Sequence, residues 1–397
     1  MMWIRWQKII YVLQLARLEF LFASVSNLWL IVMLAPVVEP ESRLSLPMAD
    51  LSRIGAMGVT AVIAAGLAAF GIALNDVLDV RHDRTFSPQR PIPAGRVAMR
   101  MGVVLALVCL LAALLGGVWL GRSSAVICLM AAVGAILYNT TWKHLPATGI
   151  IALGLMWALS MFIPHPHMGF VWPVAMNMTH VMACATIVHY LRGKRPRFET
   201  GEWIMLASGW LFWTGMLVAL AMQRGGAADG KWTTAIIGPA IAFAMFAPIA
   251  CWIVIRGWRP LRRRVAATRR FARLAILWVI LYDAAWMLSL SMWREGVFFL
   301  VLFIAAAGSV KLLDLLVRSP GRNRRFDCGF LPHVRCRQHL DARSCGSSAA
   351  RPRSCHRYSA PAVLNASCPE RFGRTPRTIR PGRLWLWPNI CSFAGSR

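Results

Sequence analysis

The stretch Asn75-Asp76-Val77-Leu78-Asp79-Val80-Arg81-His82-Asp83-Arg84, followed by Arg90-Pro91-Ile92-Pro93-Ala94-Gly95, is the part of this chain best equipped for chemistry. It begins at the end of an apolar run rich in Gly and Ala. If that helix continues, Asp76, Asp79 and Asp83 stand at i, i+3 and i+7, on one face. Three like charges on one face repel, so the arrangement asks for a cation. Carboxylate oxygens suit Mg2+, which usually keeps waters and shares its shell with phosphate oxygens. The competing reading is a charged helix end solvated among lipid headgroups. Spans that end in charge usually end in Lys or Arg, and an anionic surface disfavours three aspartates. Asp76, Asp79 and Asp83 are therefore read as metal ligands.

The elements that must position these side chains are membrane spans. The chain of 397 residues is 57% hydrophobic and 15% charged, where a soluble domain of this size carries roughly 25% charged residues. Its mean hydropathy is +0.54. The apolar excess falls in blocks of about 20 residues, the length that crosses a bilayer. The blocks run over residues 10–36, 54–76, 99–120, 124–142, 146–163, 171–191, 203–222, 233–256, 272–292 and 296–317. The expected fold is all-α: a polytopic membrane bundle of nine or ten transmembrane helices. The first block is long for one span, and Arg17 and Glu19 place its start along the interface. Met1–Gln7 leads into that helix without a small-residue cleavage site, so the helix is expected to be retained.

Basic residues fix the expected orientation. Arg81, Arg84, Arg90, Arg96 and Arg100 follow the second block, Lys143 the fourth, and Arg192, Lys194, Arg195 and Arg197 the sixth. Seven arginines between Arg256 and Arg270 follow the eighth. The alternate connections are nearly bare of Lys and Arg. All basic loops thus share one side, the expected cytoplasmic side of the cell (inner) membrane, and the aspartates lie on it. The net charge of +28 is no nucleic-acid signal. Much of it sits at span ends, and no folded basic domain separates from the membrane part. The transmembrane domain is expected to be residues 1–318. Residues 319–397 hold 15 Arg, no Lys and six of the ten cysteines; this Arg/Cys/Ser/Pro-rich tail is expected to be disordered or aberrant. Its cysteine spacing matches no zinc pattern.

The Asn-Asp-x-x-Asp-x-x-x-Asp element joined to Arg-Pro-x-Pro-x-Gly resembles the first aspartate-rich motif of the UbiA superfamily of intramembrane polyprenyltransferases (4-hydroxybenzoate polyprenyltransferase-like). The resemblance implies a prenyl diphosphate bound through Mg2+ by Asp76, Asp79 and Asp83, with Asn75 and Arg90 at the diphosphate. It extends to Tyr138 and Lys143, matching a Tyr-x-x-x-Lys/Arg element near the diphosphate, with a spacing one residue longer here. The family's second aspartate motif is missing. Residues 187–202 contain no aspartate; Glu199 and Glu202 are possible stand-ins, and Lys194, Arg195 and Arg197 are candidates for direct diphosphate contact. The loss argues against a two-metal mechanism or against turnover.

The implied reaction is electrophilic prenyl transfer to an aromatic, quinone-precursor-like or lipophilic acceptor. Mg2+ would stabilise charge on the leaving diphosphate. Apolar and aromatic walls would keep the allylic cation from water. A non-catalytic prenyl-diphosphate or lipid-binding relative is the first alternative. A transporter ranks lower, because its site belongs near the bilayer midplane rather than at a helix end. Asn27, Asn177, His180 and Asp283 are expected to face the bundle interior.

Overall fold

The computed structural model describes residues 10–38, 52–193, 196–225, 231–257 and 261–318, and every regular element among them is helical. In chain order these are α1 (Leu18–Val38), α2 (Arg53–Leu78), α3 (Val80–Phe86), α4 (Met99–Leu120), α5 (Arg122–Thr140) and α6 (Pro146–Met161). They continue with α7 (Trp172–Arg192), α8 (Thr200–Gln223), α9 (Lys231–Ala235), α10 (Ile237–Gly257), α11 (Leu261–Ser289) and α12 (Trp293–Arg318). A 3-10 turn at Trp142–His144 joins α5 to α6. Among the described residues nine spans are long and apolar enough to cross a bilayer, the seventh joining the end of α9 to α10. The apolar helix α6 has 16 residues and rises about 24 Å, short of the ~30 Å hydrocarbon core. The fold is an all-α polytopic membrane bundle. Helices are what apolar runs of this length must form, since lipid offers no partner to an open backbone group.

The helices α1 and α11 lie at the centre, with 56% and 61% of their span residues buried, against 11% in α8. Leu30, Ile31 and Leu34 of α1 share one core with Met178 of α7, Ile280 and Met287 of α11 and Phe299 of α12. The α4 face carrying Leu107, Leu111 and Leu115 is exposed, as a lipid-facing surface should be. The contact between α2 and α4 is made close by small residues. A Cβ on Gly66 would lie 2.7 Å from the Cys109 carbonyl oxygen, and one on Gly116 would lie 2.6 Å from Ile63 Cγ1. Small residues at such contacts let membrane helices approach backbone to backbone.

Two boundaries differ from the sequence expectation. The block expected at 272–292 begins earlier, because α11 runs from Leu261 and carries Arg264, Arg269, Arg270 and Arg273 on the helix. Arg273 makes a two-pronged ion pair with Asp314 of α12 and lies 3.8 Å from Glu19, so its charge is compensated within the helix. The first block is interrupted at Arg17, which sits at φ 49 between a helical stretch over residues 10–16 and α1. The interior polar residues lie as expected: Asn27, Asn177, His180 and Asp283 are all buried. Ser26 Oγ donates to Asp283, and Asn177 Nδ2 donates to Asn27 Oδ1 at 3.1 Å. His180 is a satisfied packing histidine, with Nε2 on the Ala275 carbonyl at 2.9 Å and the Tyr282 hydroxyl on Nδ1 at 3.2 Å. The tail after residue 318, Lys194 and Arg195 lie outside the described residues.

Candidate active site

The aspartate segment is bent rather than straight. Asp79 closes α2 with its N–H on the Asn75 carbonyl, at φ −86 and ψ 5, and α3 resumes at Val80. The ladder carries on through the bend, with Asp83 N–H on the Asp79 carbonyl at 2.8 Å. The three aspartates therefore do not present one shared face. Asp76 and Asp83 are brought together and buried, each 3% exposed. Asp79 is directed to a different partner, Lys143, whose Nζ lies 2.6 Å from Asp79 Oδ1.

What joins Asp76 and Asp83 is Arg90. Its Nη1 lies 3.3 Å from Asp76 Oδ1 and also binds Asp83 Oδ2. The Arg-Pro-x-Pro-x-Gly sequence builds the loop that delivers it. The Pro91 carbonyl accepts from Arg96 and Val97, at 2.9 and 3.1 Å, and Gly95 adopts φ 69, which suits a residue without Cβ. Ile92 and Val97 are buried against Leu15 and Val80, so the loop is pinned to the helix over residues 10–16. The same helix ends at Arg17, whose Nη2 lies 3.2 Å from Asp76 Oδ1. Asn75 Nδ2 reaches that oxygen too, at 3.3 Å. A left-handed non-glycine residue is costly and tends to persist where surrounding structure fixes it for a purpose; here it aims a guanidinium at a buried carboxylate.

Lys143 comes from the 3-10 turn after α5. Two contacts hold that turn beside α2. Asn139 Nδ2 donates to the Gly71 carbonyl at 3.2 Å, tying α5 to α2. Gly149 of α6 lies so near the turn that a Cβ there would sit 2.6 Å from the Trp142 carbonyl oxygen. Tyr138 is half-buried one turn before Lys143 and lies in the electrostatic field of Arg192, Arg17 and Asp79. Of the residues singled out from sequence, Asn75, Asp76, Asp79, Asp83, Arg90, Tyr138 and Lys143 thus gather at one end of the bundle. Arg17 joins them unforeseen. A signal for Arg17 was present: a basic residue inside an apolar block too long for one span.

Glu202 takes no part in this group. Its Oε2 accepts the Ala147 N–H at 2.8 Å, one of the orphan donors at the start of α6, and Glu199 is exposed at the start of α8. Among the described residues no group of three or more His, Cys, Asp or Glu side chains is arranged to hold a metal ion. The donor set nevertheless fits Mg2+. Two buried carboxylates already face one shared cationic nitrogen, and Mg2+ is usually held by one or two carboxylates with phosphate oxygens and waters completing the shell. Asp76 and Asp83 would be those carboxylates, with Arg17, Arg90 and Lys143 free to turn to the phosphates.

Among known proteins, part of the chain matches digeranylgeranylglyceryl phosphate synthases. That of Saccharolobus solfataricus is 30% identical over 104 residues, 26% of this chain and 37% of the relative. That of Ignicoccus hospitalis is 37% identical over 106 residues, 26% of this chain and 34% of the relative. About a quarter of the chain is thus similar to these synthases. It spans little more than a third of the length of these curated relatives. A solved UbiA homologue from Archaeoglobus fulgidus, bound to GPP and Mg2+, is 13% identical with a TM-score of 0.35, over 76% of this chain and 99% of that one. No family model matches the chain.

Proposed function

We propose that this UbiA-like chain is an integral membrane prenyltransferase of the cell membrane. It would move a polyprenyl group from its diphosphate to a lipophilic or aromatic acceptor, at a cytoplasmic mouth formed by Asp76, Asp79, Asp83, Asn75, Arg90, Tyr138 and Lys143. The observation that supports this best is the pair of buried carboxylates sharing Arg90 at a span end, with Arg17 and Lys143 beside them. Three acids and three bases balance one another, so the group stays compact without ligand and offers its cations to an arriving diphosphate. The partial relatives are named for a lipid product, digeranylgeranylglyceryl phosphate, which favours a lipophilic acceptor over an aromatic one.

The reaction breaks the bond between the allylic carbon and the diphosphate oxygen, and the acceptor atom takes that carbon and releases a proton. Mg2+, when bound by the aspartates, supplies charge stabilisation for the departing diphosphate. Arg17, Arg90 and Lys143 hold the phosphate oxygens through charge-assisted hydrogen bonds and act where negative charge develops. The surrounding spans exclude water from the allylic cation. An apolar cleft of about 230 Å³ lined by Thr186, Ile187, Tyr190, Leu191, Trp203 and Val254 adjoins the end of α7 and offers room to isoprenoid units. Aromatic faces there, Tyr190 and Trp203 stacked 5.8 Å apart, suit a cationic fragment.

The test is diphosphate release by the purified chain in lipid nanodiscs, with geranylgeranyl diphosphate and a panel of glycerophosphate, lipid-alcohol and aromatic acceptors. Release that depends on both Mg2+ and one acceptor class supports the proposal and names the class. Absence of release with every acceptor, alongside retained Mg2+-dependent binding, would favour a binding-only relative.

A further inference from the structure

Deeper along α1, the interior of the bundle holds a polar cluster that prenyl transfer leaves unused. Ser26 and Asn27 of α1 meet Asp283 of α11 and Asn177 of α7, and none of the four is more than 1% exposed. Ser26 Oγ donates to Asp283 Oδ2, and Asn177 Nδ2 donates to Asn27 Oδ1 at 3.1 Å. Asp283 Oδ1 and Asn177 Oδ1 have no hydrogen-bond partner among the described residues. Exchanging O and N in both amides keeps the bond between them and still leaves one amide oxygen without a donor. Among the described residues, no Lys, Arg or His forms an ion pair with Asp283. The cluster is set in apolar core. Met161 Sδ lies 3.7 Å from Asn177 Nδ2, and Met178 and Ala284, the next residues after Asn177 and Asp283, are core residues. Ser26 stands roughly two turns, about 12 Å, along α1 from Leu18, so the cluster is separate from the aspartate mouth.

A carboxylate in this setting is costly, and inside a membrane bundle it persists where a partner compensates it. The Ser26 hydroxyl hydrogen-bonds to it without cancelling its charge, and a bridging water would not cancel it either. Beside the carboxylate stand a hydroxyl and two amides, whose oxygens are the donors that hard cations take. One carboxylate matches one unit of positive charge, and a divalent ion would leave an excess charge buried. A proton would neutralise Asp283 too, but it needs none of the neighbouring oxygens. The short reach between the groups favours Na+ over the larger K+. We propose that Ser26, Asn27, Asn177 and Asp283 form a Na+ site that ties α1 to α7 and α11. The site shares no residue with the mouth and does not rest on the diphosphate reading.

The experiment measures saturable binding of radioactive Na+ to the full chain in nanodiscs, with empty nanodiscs subtracted. Mg2+ is kept in excess to occupy the carboxylates of the mouth. The expected result is one Na+ per chain, displaced by unlabelled Na+ and far less by K+. Asp283→Asn should abolish this binding. Asn177→Ala keeps the carboxylate and removes one oxygen, so it should weaken binding about tenfold; it carries the test if Asp283→Asn does not fold. Melting temperature is the second readout. Replacing K+ by Na+ should raise it by roughly 2–4 °C or more in the wild type, because a ligand of the folded state alone stabilises that state. The Asp283→Asn chain should show no such rise. Absence of saturable Na+ binding by the folded wild type overturns the proposal and assigns the carboxyl a proton instead. Binding by both variants equal to wild type, or displacement by K+ as effective as by Na+, overturns it as well.

Discussion

Asp76 is the residue on which most of the mouth depends, because its Oδ1 receives Arg17, Arg90 and Asn75 together. Replacing Lys143 is the cleaner single-residue probe, since among the described residues its ion pair is with Asp79. Lys143→Met should raise the KM for prenyl diphosphate about tenfold, as loss of one ionic contact does. Thermal stability should change little, because a partly exposed ion pair is worth little to folding; Asp79 is 27% exposed. Steady-state kinetics and a melting curve on one preparation check both parts. The Asp76, Asp79, Asp83 and Arg90 group was legible in the sequence because short spacings carry it, whereas Lys143, 64 residues from Asp79, entered through the family resemblance. The bend at Asp79 was not, because i, i+3, i+7 spacing assumes a straight helix. Nor was Arg17 on Asp76: 59 residues separate them, and only the folded bundle brings α1 beside α2.

At the scale of elements, the mouth is held by close helix contacts and end-capping rather than by long polar networks. Gly66→Leu should push α4 from α2, since even a Cβ meets the Cys109 carbonyl at 2.7 Å. The expected cost is about 1–3 kcal/mol or more, seen as a lower melting temperature in detergent together with weaker diphosphate binding. Glu202→Ala tests another kind of support. Removing the acceptor from the Ala147 N–H should cost about 1–2 kcal/mol of stability and leave the Mg2+ concentration dependence of binding unchanged. A shifted Mg2+ dependence would return Glu202 to the metal. Apolar block lengths gave nearly every span, because hydrophobic length is the dominant constraint in lipid. They missed the start of α11, because the arginines up to Arg270 look like loop residues although the helix carries them from Leu261 on.

The whole molecule must place the loops at 87–98 and 196–199 on one side of the membrane and the loop at 164–170 on the other. Reporter fusions at these three places are expected to read cytoplasmic, cytoplasmic and external; opposite sides for the first two would part the Arg90 loop from the end of α7 and end the shared mouth. The tail beyond residue 318 lies outside the described residues, and its composition predicts that truncation there leaves the melting temperature of the membrane part unchanged. The claim on which everything else stands is that the aspartates hold a divalent ion against a diphosphate. Its most direct test is equilibrium binding of geranylgeranyl diphosphate to wild type and Asp76→Asn, each with Mg2+ and with EDTA. The account predicts Mg2+-dependent binding by the wild type and a loss of about tenfold or more in Asp76→Asn, with the fold intact by melting curve. Equal binding by both proteins, unchanged by EDTA, would contradict it.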